Sequence, residues 1–351
     1  YYPFGHRFFS DLTHYVRSGD FVTNLFREAR TLNELAFASG ALAHYVGDSV
    51  GHSEAINLAT AVEFPDLRKR FGSRVTYDES PHGHIRTEFA FDIEELSEQA
   101  FAPTRYLRYV GLEAPRGLLE RVFLRTYGFD LRQMLGRVGP ALRSYRSSVR
   151  RFIPAIADAE LVLHKGQFPP HPNSEAYRIF ADRSERTNYH QWWKGAYKEP
   201  GIAAHLMAVL VFLVPKIGAA ADLTIKIPTP QTQAWYLESV NHTIDIYNAD
   251  LKLLAGSAEF ALEDLNLDTG KEVRRSEYTR VDQTYSELLK RLTSGSSQFI
   301  PVGVKRDVLG FYTGLDPSTS PRGGKKVLDT MKRLAALQEL KSSDRKVQTK
   351  D

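Results

Sequence analysis

The stretch "HYVGDSVGH", residues 44 to 52, sets His44, Asp48 and His52 at intervals of four. On an α-helix, at ~100° per residue, the three side chains fall within roughly 80° of one another and project from one stripe. The stretch "HGHIRTEFAFD" repeats the device, with His84 and Glu88 four apart and Asp92 one turn further on. Imidazole nitrogens and carboxylate oxygens suit a borderline-soft cation such as Zn2+, and a catalytic site needs about three of them plus an open position for water. His52, His84 and Glu88 make one such set. His44 and Asp48 need a further donor, for which His14 is the candidate, and Asp48 sits mid-stripe, where it could bridge two ions.

Each pair taken alone also fits an ordinary contact one helical turn apart. The distribution of histidine favours metal: six of the eleven (His6, His14, His44, His52, His82 and His84) fall in the first 84 residues. His6 and His82 read as supporting or surface residues. Asp92 and Asp11 each read either as a carboxylate holding a ligating imidazole in one tautomer or as a solvated acid. His164, His171, His190, His205 and His242 are scattered and read as structural.

The 351 residues are 42% hydrophobic and 25% charged, the balance of a soluble globular protein with a real core. Net charge is +4, from 46 basic and 42 acidic residues, too slight an excess to specify a nucleic-acid surface. With no cysteine, disulfides, thiolate metal sites and cysteine nucleophiles are excluded. There is no G-x-S-x-G elbow and no P-loop. The chain opens on Tyr1 with no leader and reads as processed or truncated. The apolar run from His205 is too short for a membrane span and reads as a core helix ending at Pro215.

Helical periodicity dominates, so an all-α fold is expected. Thr31 and Glu34 form a capping-box pattern before a seam of Leu32, Leu35, Ala38, Leu42, Tyr45 and Val46. Ser80 and Pro81 open the helix carrying His84 and Glu88, with Phe89, Ile93 and Leu96 turned inward. Further helices are expected at 115–135, 138–164, 174–194, 201–218, 230–256 and 278–293, then an amphipathic stretch, "VLDTMKRLAALQEL", and a polar, disordered end. Three parts follow: a metal-binding helical domain at 1–165, a helical continuation packing on it at 166–315, and a C-terminal helix and tail at 316–351.

"ALAHYVGDSVGH" followed by "HIRTE" resembles the zinc-dependent phospholipase C and single-strand-specific zinc nuclease superfamily, and "YYPFGHRFFSDLTHYV" resembles the upstream part of its bacterial phospholipase C-like members. The resemblance implies a multi-helix bundle with extra C-terminal helices, and two or three Zn2+ ions in a complete site. It implies His14 and His44 on one ion, His52, His84 and Glu88 on another, and Asp48 as the bridging, catalytic carboxylate. The superfamily also uses its N-terminal residue, a nearby histidine and an aspartate just before the "YYPFG" stretch. None is identifiable in this chain, so fewer ions are expected here.

The activity implied is phosphodiester hydrolysis of a phospholipid headgroup, with possible peripheral membrane contact and an extracytoplasmic address. Alternatives are a single-strand-specific nuclease, for which no base-stacking pocket is marked, and a non-catalytic zinc-binding scaffold. A di-iron bundle would need paired Glu-x-x-His motifs, and no convincing pair occurs. Trp192 and Trp193 are candidates for a membrane edge, while Tyr45, Tyr77 and Phe89 read as packing residues.

Overall fold

The structure is a computed structural model that describes residues 7–97, 114–148, 153–164, 201–213, 225–256, 259–295, 299–315 and 324–342. In chain order the elements are α1 (Arg7–Tyr15), α2 (Ser18–Glu28), α3 (Leu32–Gly51), a π-helical turn (His52–Ile56), α4 (Asn57–Glu63), α5 (Pro65–Phe71), α6 (Pro81–Ser97), α7 (Arg116–Tyr127), α8 (Leu131–Leu135), α9 (Val138–Ser147), α10 (Ile153–Leu163), α11 (Ile202–Leu213), α12 (Pro230–Gly256), β1 (Leu265–Asn266), β2 (Lys271–Glu272), α13 (Thr279–Thr293), α14 (Val302–Phe311) and α15 (Gly324–Glu339). The fold is all-α, with one antiparallel hairpin, β1–β2, among the described residues.

Two compact units interleave along the sequence: residues 1–45, 114–144 and 256–351, and residues 46–113 and 145–255. The domain boundary expected at 165/166 lies outside the described residues.

The first unit is built on aromatic packing. Phe123 of α7 stacks on Phe9 at 4.8 Å and meets Phe21 edge-on at 5.3 Å. Leu12, Leu25, Leu118, Phe123 and Tyr127 are all fully buried, each stabilising the fold by about 1.5–3 kcal/mol relative to exposure. Arg121 of α7 pairs with Glu34 at 2.9 Å, and Arg125 pairs with Glu28 at 2.6 Å.

The second unit has smaller apolar clusters, one of Ala90, Ile93, Leu161 and Ile225 with Phe89 and Ile227 against it, another of Ile156, Ala159 and Ala208. Phe91 of α6 stacks on Tyr236 of α12 at 4.5 Å. Thr60 of α4 donates its hydroxyl proton to Thr87 Oγ1 of α6 at 3.1 Å. Gly83 lets α6 approach α5: a Cβ there would come within 2.6 Å of Leu67 Cδ1.

Several expected elements stand where the sequence put them: α12 and α13 match their ranges within a residue, and Ser80 Oγ accepts from the Gly83 N–H at 3.3 Å to cap α6. The helix expected at 115–135 is two helices. Gly128, at φ 80°, ends α7, and its Cα lies so near the Phe299 carbonyl that a Cβ would come within 2.2 Å of the oxygen. Asp130 and Gln133 then form a true capping box for α8.

The seam on α3 also needs correction. Leu32 and Leu35 are exposed, whereas Ala38, Leu42, Tyr45 and Val46 are buried. Glu34 turns toward Arg121 and carries the first turn with it, so Leu32 and Leu35 face outward. The Glu34 carboxylate caps the Arg30 N–H at 2.7 Å, one residue earlier than a capping box, while Thr31 Oγ1 accepts from the Glu34 N–H at 3.2 Å.

Helices α1, α2, α4, α5 and α14, the π-helical turn and the hairpin were not anticipated. The helix expected at 174–194, the stop at Pro215, Trp192, Trp193 and the polar end lie outside the described residues, as does the Leu96 side chain. Among the described residues no helix is long and apolar enough to cross a membrane.

Candidate metal centre

His14 closes α1, and its position is set from inside and outside the helix. Its Nδ1 lies 2.7 Å from the Ser10 carbonyl oxygen. A carbonyl only accepts, so Nδ1 carries the proton and the lone pair is on Nε2. From outside, the Leu267 N–H donates to the His14 carbonyl at 3.1 Å. Next door, Tyr15 and Tyr278 both donate phenolic protons to the buried carboxylate of Asp268, at 2.6 and 2.5 Å. These hairpin contacts, some 250 residues downstream, hold the end of α1.

His44 Nε2 lies 3.4 Å from His14 Nε2, the rings nearly perpendicular at 80°. Two nitrogens on one tetrahedral zinc, with bonds of ~2.0–2.1 Å, stand ~3.3–3.4 Å apart. Asp48 follows one turn later on the unbroken helix α3, and His14, His44 and Asp48 each offer a ligand atom within 4.8 Å of the others. Tyr45 pins this stretch of helix by donating to the Glu263 carbonyl at 2.7 Å.

His52, His84 and Glu88 form a second group by the same 4.8 Å criterion. His52 opens the π-helical turn, a local widening that often marks functional sites, and Arg74 clamps the turn through the Ser53 carbonyl. His52 Nε2 is 2.8 Å and His84 Nε2 3.2 Å from Glu88 Oε1. Desolvation opposes ionisation of Glu88, but the His84 and His52 imidazoles outweigh it and hold the carboxyl well below its usual range. The group can therefore present an ionised oxygen and two imidazole nitrogens to a cation.

The fit to a metal turns on His84. Its side chain is fully buried, and neither ring nitrogen has a hydrogen bond. Buried polar atoms are otherwise almost always satisfied, at a cost of about 1–3 kcal/mol when they are not. A cation shared with His52 and Glu88 would satisfy one nitrogen and fits the nitrogen and oxygen donors that zinc takes.

The remaining candidates separate. Asp11 pairs with Arg7 at 3.5 Å and Arg280 at 3.7 Å, so the Ser10 carbonyl, not Asp11, orients His14. Asp92 makes no hydrogen bond to His84. Desolvation, moderated by the solvent that reaches it, and the Glu88 charge push its carboxyl up to about 7. His82 is exposed, and His6, His171 and His190 lie outside the described residues. His164 pairs with Glu160 at 3.2 Å, His205 with the Gly201 carbonyl at 3.0 Å, and His242 with Glu54 at 2.9 Å. Tyr77 meets the His84 ring edge-on at 5.6 Å. Asp268, Tyr15 and Tyr278 were missed, and the only trace of them in sequence is the "DTG" turn signal after Leu267.

Residues 1–128 match the family of zinc dependent phospholipase C. All six donors of the two groups lie inside that span. No curated protein and no solved structure matches the chain.

Proposed function

We propose that the protein is a zinc-dependent phosphodiester hydrolase that cleaves the headgroup from a phospholipid. The observation that carries the reading is the buried His84 imidazole, without hydrogen bonds at either nitrogen, beside His52 and Glu88. Zinc, when bound, supplies Lewis-acid polarisation of phosphoryl oxygens and acidification of a water.

The side chains do the rest. His14, with its proton held on Nδ1 by Ser10, offers Nε2 together with His44 Nε2 at one position. His52, His84 and the ionised Glu88 hold the other. Asp48, one turn after His44 and one before His52, is the carboxylate set to serve both and is the residue to which we assign the central catalytic role. Two ions are the count these donors support. We extend the reading to an extracytoplasmic address, which only the sequence resemblance supports.

The test is turnover of short-chain lecithin by zinc-loaded protein. Release of the phosphorylated headgroup, abolished by a chelator and lowered at least ~100-fold in Asp48→Asn, supports the reading. Zinc binding with no hydrolysis would make the protein a scaffold, and cleavage of single-stranded DNA in preference to lecithin would make it a nuclease.

A further inference from the structure

The first unit holds a cavity of about 530 Å3, lined by Asp264, by the segment from Glu272 to Arg275 and by residues of α13 and α14. Pockets for small organic ligands span roughly 300–1,000 Å3, so the space is large enough for one. None of the six metal-site donors lines it.

Its charges are of both signs, and they are unevenly satisfied. Glu272 and Arg274 pair with each other at 3.0 Å. Arg275 donates to the Gly314 carbonyl at 3.4 Å and joins no ion pair among the described residues. Asp264 accepts from the Asp20 N–H at 2.9 Å, and Asp307 accepts from the Tyr285 hydroxyl at 3.0 Å. Neither acid has a cation beside it. Arg17, whose charge reaches both, spends Nε and Nη2 on Asp20, at 2.9 and 2.5 Å, and Nη1 on the Thr126 carbonyl. A carboxylate can take about four hydrogen bonds, so acceptor capacity is left over on the cavity wall. That wall is fixed by the Tyr285 and Phe311 rings, stacked at 3.7 Å and 7°. Gly310 also lines the space, and a Cβ there would meet nothing within 4 Å.

We propose that this cavity binds a small zwitterion, its primary ammonium donating to Asp264 and Asp307 and its anionic end, a phosphate or a carboxylate, meeting Arg275. Charge-assisted hydrogen bonds to a carboxylate are the strong ones, and a guanidinium suits either anion. A bare divalent cation would use the two acids but leave Arg275 without a role and most of the cavity to water. Binding is read without metal and without turnover, so it stands or falls apart from the proposed hydrolysis.

Calorimetric titration of the full chain at pH 8, after chelation and dialysis, provides the test. The probes are O-phosphoethanolamine, γ-aminobutyrate, ethanolamine, inorganic phosphate and calcium. At least one zwitterion should bind ~10-fold or more tightly than ethanolamine or phosphate, and the tighter of the two identifies the anionic end. Asp307→Asn should lose that binding, and Arg275→Gln should reduce it to the level of ethanolamine. Asp307→Asn keeps an acceptor for Tyr285 and Arg275 is half-buried, so both variants should melt no lower than the parent. Failure of both zwitterions to bind, equal affinity for a zwitterion and for ethanolamine, retention by either variant, or tighter binding of calcium would overturn the proposal.

Discussion

His84 and Glu88 meet one turn apart on α6, Nε2 to Oε1 at 3.2 Å, yet the imidazole has no hydrogen bond at either nitrogen. The open arrangement leaves a buried donor set that costs stability when empty and repays it when a cation binds.

Replacement of His84 by Leu tests this balance. In chelated protein, His84→Leu is expected to change stability little or raise it by about 1 kcal/mol, because two unsatisfied nitrogens disappear. Zinc at ~100 times its dissociation constant should stabilise the parent protein by about 2.7 kcal/mol, and His84→Leu should lose the part contributed by this group. Thermal melts with and without zinc check the prediction, and an undiminished zinc effect in the variant would count against it.

Tyr15 and Tyr278 converge on Asp268 at the end of the helix that carries His14. Tyr15→Phe should destabilise the protein by about 1–3 kcal/mol, since a buried carboxylate loses a charge-assisted hydrogen bond. It should also weaken zinc binding at His14 and His44 while sparing the His52 group. Urea unfolding paired with zinc titration separates the two effects.

Asp307 responds to pH. Desolvation and the neighbouring Asp264 raise its carboxyl to about 7, against the Tyr285 hydroxyl, which lowers it. A folded pKa above the unfolded value of 3.8 means that the group's stabilising contribution is full below about pH 4 and is lost as pH rises through about 7. Asp307→Asn keeps an acceptor for Tyr285 and cannot ionise. Relative to the parent it should therefore gain about 1–2 kcal/mol between pH 5 and pH 8, a figure discounted for partial exposure. Denaturant unfolding at the two pH values measures the gain; equal differences at both would refute it.

Gly128→Ala should cost about 2–4 kcal/mol. The residue sits at φ 80°, and the added methyl would meet a backbone oxygen, which cannot swing aside as a side chain can. Zinc binding per folded molecule should be unaffected, which distinguishes this variant from those at the metal groups.

Much of the candidate site was legible because its geometry is local. Spacing of four on a helix places His44 with Asp48 and His84 with Glu88, whatever the rest of the chain does. The all-α class was legible for the same reason, through periodic apolar residues and capping signals, but the break at Gly128 was missed, because apolar periodicity runs on through 115–135 while the positive φ of Gly128 and the Asp130 cap end one helix and start another. Joining His14 to His44, and His52 to His84 and Glu88, required contacts between helices. The tertiary structure also decided that Leu32 and Leu35 face outward, that the hairpin at Leu265–Glu272 steadies α1, and that His84 is buried without hydrogen bonds. Those outcomes depend on side chains tens to hundreds of residues apart competing for the same space, and no local pattern encodes which of them wins.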